Sequence, residues 1–397
     1  MSFQHHSVVQ VYFIRGTEKL FMGRLALNQR KIFFEYDPQF IKTGLELSPF
    51  RLPLKSGLIV CDDPLFDGLF GVFNDSLPDG WGRLLLDRAM MQRNINPHEP
   101  SPLDRLCYVG SHGMGALVYE PEIGHQPPIY LYDLDQIARE TMQFQQHDND
   151  KFLDELLAMN GSSAGARPKI LINLDGEDWI IKFRSSTDPK EIALIEFTYH
   201  LMAKKALLDL PEAKLFPSQR GEGYFGVKRF DRQNGQTIHM HTMSGLLHID
   251  HRIPSLDYET LLKASAWLTK DVRECEKQFR AAVFNILSHN RDDHAKNFSF
   301  LMDQEGTWRV SPAYDLTFSS GPAGEHCTLI MGEGKNPTIA HLLKLAEISG
   351  IPEQKTQQII EEVSSAVSQW GSLAKEVGLN TSSTKMIQTA LNRLAGN

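Results

Sequence analysis

A chain of 397 residues with 41% hydrophobic and 23% charged side chains has a globular composition and room for two or three domains. Its formal net charge of −8 argues against unaided tight binding to nucleic acid, because nothing general attracts it to phosphate backbones. Cys61, Cys107, Cys275 and Cys327 form no CxxC pair, no apolar run reaches about 18 residues, and "MSFQHHSVVQ" lacks a basic-then-apolar leader, so a disulfide framework, a zinc ribbon, a signal peptide and a membrane span are not expected, and a reducing cytosol is.

In chain order, "VVQVYFI", "KLFMGRLAL" and "KIFFEY" are rich in Val, Ile, Phe and Tyr and read as short strands. "FNDSLPDGWGRLLLDRAMMQR" follows, and Pro78 and Asp79 mark the start of a helix running through Leu84, Leu85 and Met90. Its opening "LPDGWG" suits packing and an interdomain seam better than chemistry. The Gly-rich "VGSHGMGALVYE" leads back into a strand. "PEIGHQPP" and "QQHDND" then place a domain boundary near 120–150.

From 151 the pattern changes. "KFLDELLAMN" predicts an amphipathic helix, "GSSAGARPK" a small-residue loop, and "ILINLDGEDWIIKF" two strands around an Asp-Gly turn. "EIALIEFTYHLMAKKALL" predicts a helix and "YFGVKRFDR" another strand. Beyond about 255 the chain reads as mostly helical, apart from the hairpin "NFSFLMDQEGTWRV". The helix carrying Trp370 belongs in the core. His239, His241, His248 and His251 cluster, but their spacing fits no standard zinc motif.

The order of parts is informative: glycine-rich loop, strand with an inward Lys, helix with a Glu, linker strand, helices, acid–Asn loop, hairpin, Asp. This is the order of a protein-kinase-like phosphotransferase. Phosphoryl transfer demands positioning and positive charge more than covalent chemistry. Main-chain N–H groups of a small-residue loop can approach phosphates closely. Asp292 and Asn297, in "SHNRDDHAKNFSFL", have the D-x-x-x-x-N spacing of the kinase catalytic loop, and Asp315 in "PAYDLTF" follows where a second metal-binding carboxylate belongs. A carboxylate, an amide and phosphate oxygens suit Mg²⁺. Glu196 either pairs with Lys182 or is an ordinary exposed helix carboxylate.

"FNDSLPDGWG", "GSHGMGAL", "SSAGARPK", "KRFDR", "DDHAKNFSFL" and "PAYDL" in this order resemble the HipA family of bacterial serine/threonine kinases, toxins of type II toxin–antitoxin modules linked to growth arrest and persistence. The resemblance implies an α+β, protein-kinase-like two-lobed fold: a β-rich N-terminal subdomain over 1–125, then a kinase domain over 150–397. Within the latter, a nucleotide-binding lobe covers about 150–255 and a mostly helical catalytic lobe about 256–397. It implies ATP and Mg²⁺ as cofactors, with Asp292 as catalytic base and Asn297 and Asp315 as metal ligands. Lys182 corresponds to the phosphate-contacting lysine, and Ala164, Gly165, Ala166, Arg167, Pro168 and Lys169 to the phosphate-side loop. Lys228, Arg229 and Phe230 correspond to the segment against the adenine, and His294 and Lys296 to residues beside the phosphates.

Ser162 matches the serine that family members phosphorylate on themselves, with the adjacent Ser163 as the alternative acceptor. Implied partners are a protein substrate, plausibly an aminoacyl-tRNA synthetase, and a small helix-turn-helix antitoxin of HipB type, through which alone DNA would be met. Two departures stand out: Pro168 removes a backbone donor from the loop, and Lys228 replaces a glutamate in the hinge. The alternatives are a weakly active or inactive nucleotide-binding module that docks to a DNA-bound regulator, and a small-molecule kinase on the same scaffold.

Overall fold

The computed structural model describes residues 5–123, 133–146, 153–160 and 165–395. Ser162, Ser163 and Ala164 lie outside the described residues. The first three predicted strands form as β1 (Val8–Arg15), β2 (Glu18–Asn28) and β3 (Lys31–Tyr36). With β4 (Leu58–Val60) and β5 (Leu117–Glu120) they make an antiparallel sheet in the order β4-β3-β2-β1-β5. Alternation along β1 turns Val9, Val11 and Phe13 inward, as a half-buried strand requires.

The helix expected after "LPDGWG" spans Gly80–Gln92, with Asp79 at its N-cap. It does not pack on the sheet that precedes it in sequence. Its Trp81, Leu85 and Ala89 join Phe144, Leu153, Leu156, Ile170, Ile172, Trp179 and Ile181 in a separate hydrophobic cluster. That cluster underlies a second sheet of β6 (Lys169–Leu174), β7 (Glu177–Lys182), β8 (Ala213–Phe216) and β9 (Tyr224–Lys228), ordered β6-β7-β9-β8. Asp175 and Gly176 both take positive φ, 54° and 84°, which is what a two-residue turn matching strand twist needs. The resulting register sets Lys169 opposite Lys182.

The rest is mostly helical, and its longest helix is Val272–Leu287. A small sheet of His239–Thr242, Ser299–Met302 and Trp308–Val310 carries the expected hairpin. Trp370 is fully buried and lies edge-on to Tyr199 at 5.5 Å. One continuous core joins the first sheet (Phe13, Phe34), the helix Ile192–Lys205 (Tyr199, Met202) and the C-terminal helices (Phe279, Trp370). The α+β, two-lobed kinase-like architecture is therefore present, with the N-terminal sheet packed onto it.

Polar contacts tie the two parts together. Asp75 accepts from His241 Nδ1 (2.6 Å), Thr242 N (2.7 Å) and Thr242 Oγ1 (2.7 Å). His239 Nε2 meets Leu47 O at 3.0 Å, and His248 accepts from Gly71 N at 2.8 Å. Gly71 lies so close to the other side that an added Cβ would sit 2.0 Å from Gly245 O. The histidine cluster is therefore a seam. Among the described residues no group of three or more His, Cys, Asp or Glu could hold a metal ion. No helix among the described residues is long and apolar enough to cross a membrane.

A second tie is Asp231, fully buried, which receives Arg229 Nε (2.9 Å) and Nη2 (2.7 Å), Arg232 Nη1 (2.8 Å) and Gly115 N (2.8 Å). Burial alone would raise its pKa, but Arg229 and Arg232 outweigh that and lower it to about 2. The folded value lies below the unfolded one of about 3.9. Its stabilisation is therefore present above the unfolded value and lost as pH falls toward 2. Urea unfolding across this range should show a loss on the order of 2–3 kcal/mol that is absent in Asp231→Asn.

Candidate functional site

Between the two sheets and the helical lobe lies a cleft of about 1110 Å³. Its walls include Gly165, Arg167, Lys169, Lys182, Glu196, Lys228–Phe230, Asp292, His294, Lys296, Asn297 and Asp315, and from the N-terminal part Asp75 and Asp79. Residues separated by more than 200 positions in sequence thus share one cavity.

Its centre is an ion-pair network. Lys182, at the end of β7, donates to Glu196 Oε2 at 2.9 Å and to Asp315 Oδ1 at 2.5 Å. Glu196 is 3% exposed and also receives Arg167 Nη1; Arg167 Nε lies 3.3 Å from Asp188 Oδ2. Glu196 is the lysine's partner, which settles the alternative left open by the sequence. Burial opposes the charge on Lys182, but Asp315 and Glu196 outweigh it and hold its pKa above the ordinary lysine value. Burial likewise opposes ionisation of Asp315, but Lys182 and Lys169 overcome it and hold that carboxyl well below the usual range. Lys169 is different: burial, in the company of Lys182, pushes its pKa down despite Asp315. Asp315 also takes a left-handed backbone conformation (φ 58°), a region that Asp enters more readily than most non-glycine residues.

The segment after the helix Val272–Leu287 divides its two adjacent acids between different jobs. Asp293 is 1% exposed and accepts from Tyr258 OH (2.7 Å), Cys327 N (2.9 Å) and Thr328 N (3.2 Å), with His326 Nδ1 at 2.9 Å. It anchors the loop to the chain around 326–328. Asp292 instead opens into the cleft. Partial desolvation raises its pKa; His294 and Arg167 act against this, and the charges of Asp315 and Asp293 reinforce it. A raised pKa makes a carboxylate a better proton acceptor.

Asn297 donates its amide N–H to Asp292 O at 2.7 Å. This assigns its oxygen as the free end of the amide, without a hydrogen bond among the described residues. An amide oxygen and an ionised carboxylate on Asp315 are hard donors that fit Mg²⁺. The pair is too small to make a cage, so such an ion would need oxygens from a bound phosphate as well.

Other expected residues take more specific places. Arg229 lines the cleft, but its guanidinium is held by Asp231 and Gly113 O, so its charge is committed to the fold. Lys228 Nζ pairs with Glu177 Oε2 at 2.7 Å across the sheet. Phe230 packs its ring 5.3 Å from Tyr314. Lys296 donates to Asp79 Oδ2 at 2.5 Å, and Gly165 N donates to Asp79 Oδ1. Asp79 and Asp188 were missed by sequence reasoning. The "LPDGWG" segment does lie in the seam, yet its carboxylate reaches the cleft, and only that Asp beside a small-residue turn hinted at it.

Unfolding experiments can separate the two acids. Asp293→Asn should cost about 3 kcal/mol by leaving buried donors without their acceptor. Asp292→Asn should stay within about 0.5 kcal/mol of wild type or gain slightly, since folding disfavours that charge.

Comparison with known proteins places the chain in a family and a fold. A family model for the HipA N-terminal domain matches residues 17–120, and one for the HipA-like C-terminal domain matches residues 161–370. Two proteins of Sinorhizobium fredii, named "Putative kinase Y4dM" and "Putative kinase Y4mE", are each 28% identical, over 44% and 46% of this chain. Those alignments cover 47% and 48% of the two proteins, so the chain spans about half the length of the curated relatives it matches. In fold, the chain is similar to a Shewanella oneidensis protein from the complex of HipA, HipB and operator DNA, with a TM-score of 0.73, 17% identity, and coverage of 98% of this chain and 97% of that one.

Proposed function

This chain belongs to the HipA family, and on that premise we propose that it is an ATP- and Mg²⁺-dependent serine/threonine protein kinase acting as a growth-inhibiting toxin. The observation that carries the reading is Lys182 bridging Glu196 and Asp315 in the cleft that also holds Asp292 and Asn297. An inert nucleotide-binding module has no use for a proton-accepting carboxylate beside such a network.

In this reading Lys182, Lys169 and Arg167 surround the triphosphate with positive charge, and Gly165–Lys169 lies along it. Lys228–Phe230 flanks the base. Asn297 and Asp315 would hold Mg²⁺, which when bound neutralises charge on the phosphate oxygens. Asp292 orients the attacking hydroxyl and accepts its proton, and its raised pKa favours that role. Glu196 keeps Lys182 charged and pointed at the phosphates. Asp293 keeps Asp292 in place through the anchored backbone.

The solved relative is in complex with HipB and operator DNA. By analogy, a HipB-type helix-turn-helix antitoxin is the proposed partner of this chain, and an aminoacyl-tRNA synthetase the plausible protein substrate. Autophosphorylation at Ser162 would silence the enzyme by adding about −1.5 to −2 charges beside the phosphate-side loop.

Labelled ATP tests the assignment directly. Asp292→Asn should bind ATP as wild type does while phosphoryl transfer falls by about 10² to 10⁴. Transfer at near wild-type rate would remove Asp292 from the mechanism. Asp315→Ala should instead weaken nucleotide binding in Mg²⁺ and leave binding in its absence less affected.

A further inference from the structure

The N-terminal domain places a carboxylate inside the cleft that the mechanism above does not use. Asp79 precedes the helix Gly80–Gln92 and touches three groups across the seam. Lys296 Nζ donates to its Oδ2 at 2.5 Å, Gly165 N donates to its Oδ1, and His251 Nε2 lies 3.9 Å from Oδ2. Lys296 is only 8% exposed and the Asp79 side chain 22%, so this ion pair is largely but not wholly shielded from water. The contact is reinforced by backbone: Trp81 N donates to Gly165 O at 3.1 Å. Gly80 approaches so closely that an added Cβ would sit 2.6 Å from Gly165 O and 2.8 Å from Ala166 Cα. The seam therefore grips the phosphate-side loop at Gly165 from both its N–H and its carbonyl.

Chemically, one backbone N–H of a small-residue loop and one lysine ammonium converging on an oxyanion are the donors of a phosphate site. Here the oxyanion is a side chain. We propose that Asp79 is a phosphate placeholder, a carboxylate lent by the N-terminal domain that competes with nucleotide for Lys296 and the Gly165 N–H. The inference rests on reading the cleft as a nucleotide site, and it adds regulation to that reading. A lysine has three N–H donors and could serve two acceptors, but the Gly165 N–H has one hydrogen, and Asp79 and a phosphate would repel each other. Nucleotide binding therefore displaces Asp79 and loosens the seam at Gly80–Trp81. By linkage, a partner that tightens the seam weakens nucleotide binding by the same factor.

The test compares full-length wild type, Asp79→Asn and Asp79→Ser, titrated calorimetrically with Mg·ATP and separately with adenosine. Asparagine keeps the size and one acceptor oxygen without the charge, and serine is a favourable residue at a helix N-cap position, so at least one variant should retain the fold, checked by thermal unfolding. Both folded variants should bind Mg·ATP at least about tenfold tighter than wild type. Adenosine, which needs no phosphate donors, should bind unchanged. Unchanged or weaker ATP binding in a folded variant would overturn the placeholder, as would equal tightening toward adenosine, which would report a generally opened cleft. If none of the three proteins binds either ligand, the nucleotide reading of the cleft itself falls, and the placeholder with it.

Discussion

Lys182 carries its charge into a site where an isolated ammonium could not stay ionised, and the architecture around it follows from that requirement. An unpaired buried charge is expensive, and breaking a buried pair by removing one partner costs several kcal/mol. The ammonium therefore needs both Glu196 and Asp315, which come from a helix in one lobe and a segment beyond the hairpin in the other. Bringing them together ties the helix Ile192–Lys205 and the segment carrying Asp315 to the end of β7. Arg167 then balances the second oxygen of Glu196 and draws the Gly165–Lys169 loop onto the same network.

The N-terminal domain is coupled to this site in two physical ways. Its sheet shares one continuous core with the helical lobe, while its helix Gly80–Gln92 belongs to the core beneath the second sheet. The polar seam adds direction to this apolar contact. Asp75, His241 and Thr242 form one tie, Asp231 with Arg229, Arg232 and Gly115 another, and Asp79 with Lys296 and Gly165 a third. Since the third tie ends on the cleft wall, movement at the seam cannot be independent of the site.

Much of this was legible before any coordinates. Strands β1, β2 and β3 follow from β-branched and aromatic runs, the β6–β7 turn from Asp175-Gly176, and the candidate site segment from the five-residue spacing of Asp292 and Asn297. Other features were ambiguous for good reason. Glu196 sits on a helix face whose burial depends on what packs there, so an exposed carboxylate was equally consistent with the sequence. Arg229 looked like a group facing a ligand, but two residues on, Asp231 takes its charge. The four histidines looked like a cluster and serve as separate ties across the seam.

What the sequence by itself determined is the set of local structures and the chemical inventory: which segments form strands and helices, and which Lys, Asp and Asn stand at kinase-like spacings. These are properties of neighbours along the chain, where periodicity, turn chemistry and fixed offsets act directly. What only the tertiary structure decided is which charges meet. Asp292 and Asp293 are adjacent and identical in type, yet one opens into the cleft and the other is buried beneath four partners. Asp79 lies 217 residues from Lys296 and still pairs with it. Electrostatic role depends on burial and on distances through space, and these exist only once the two sheets and the helical lobe have closed around the same cavity.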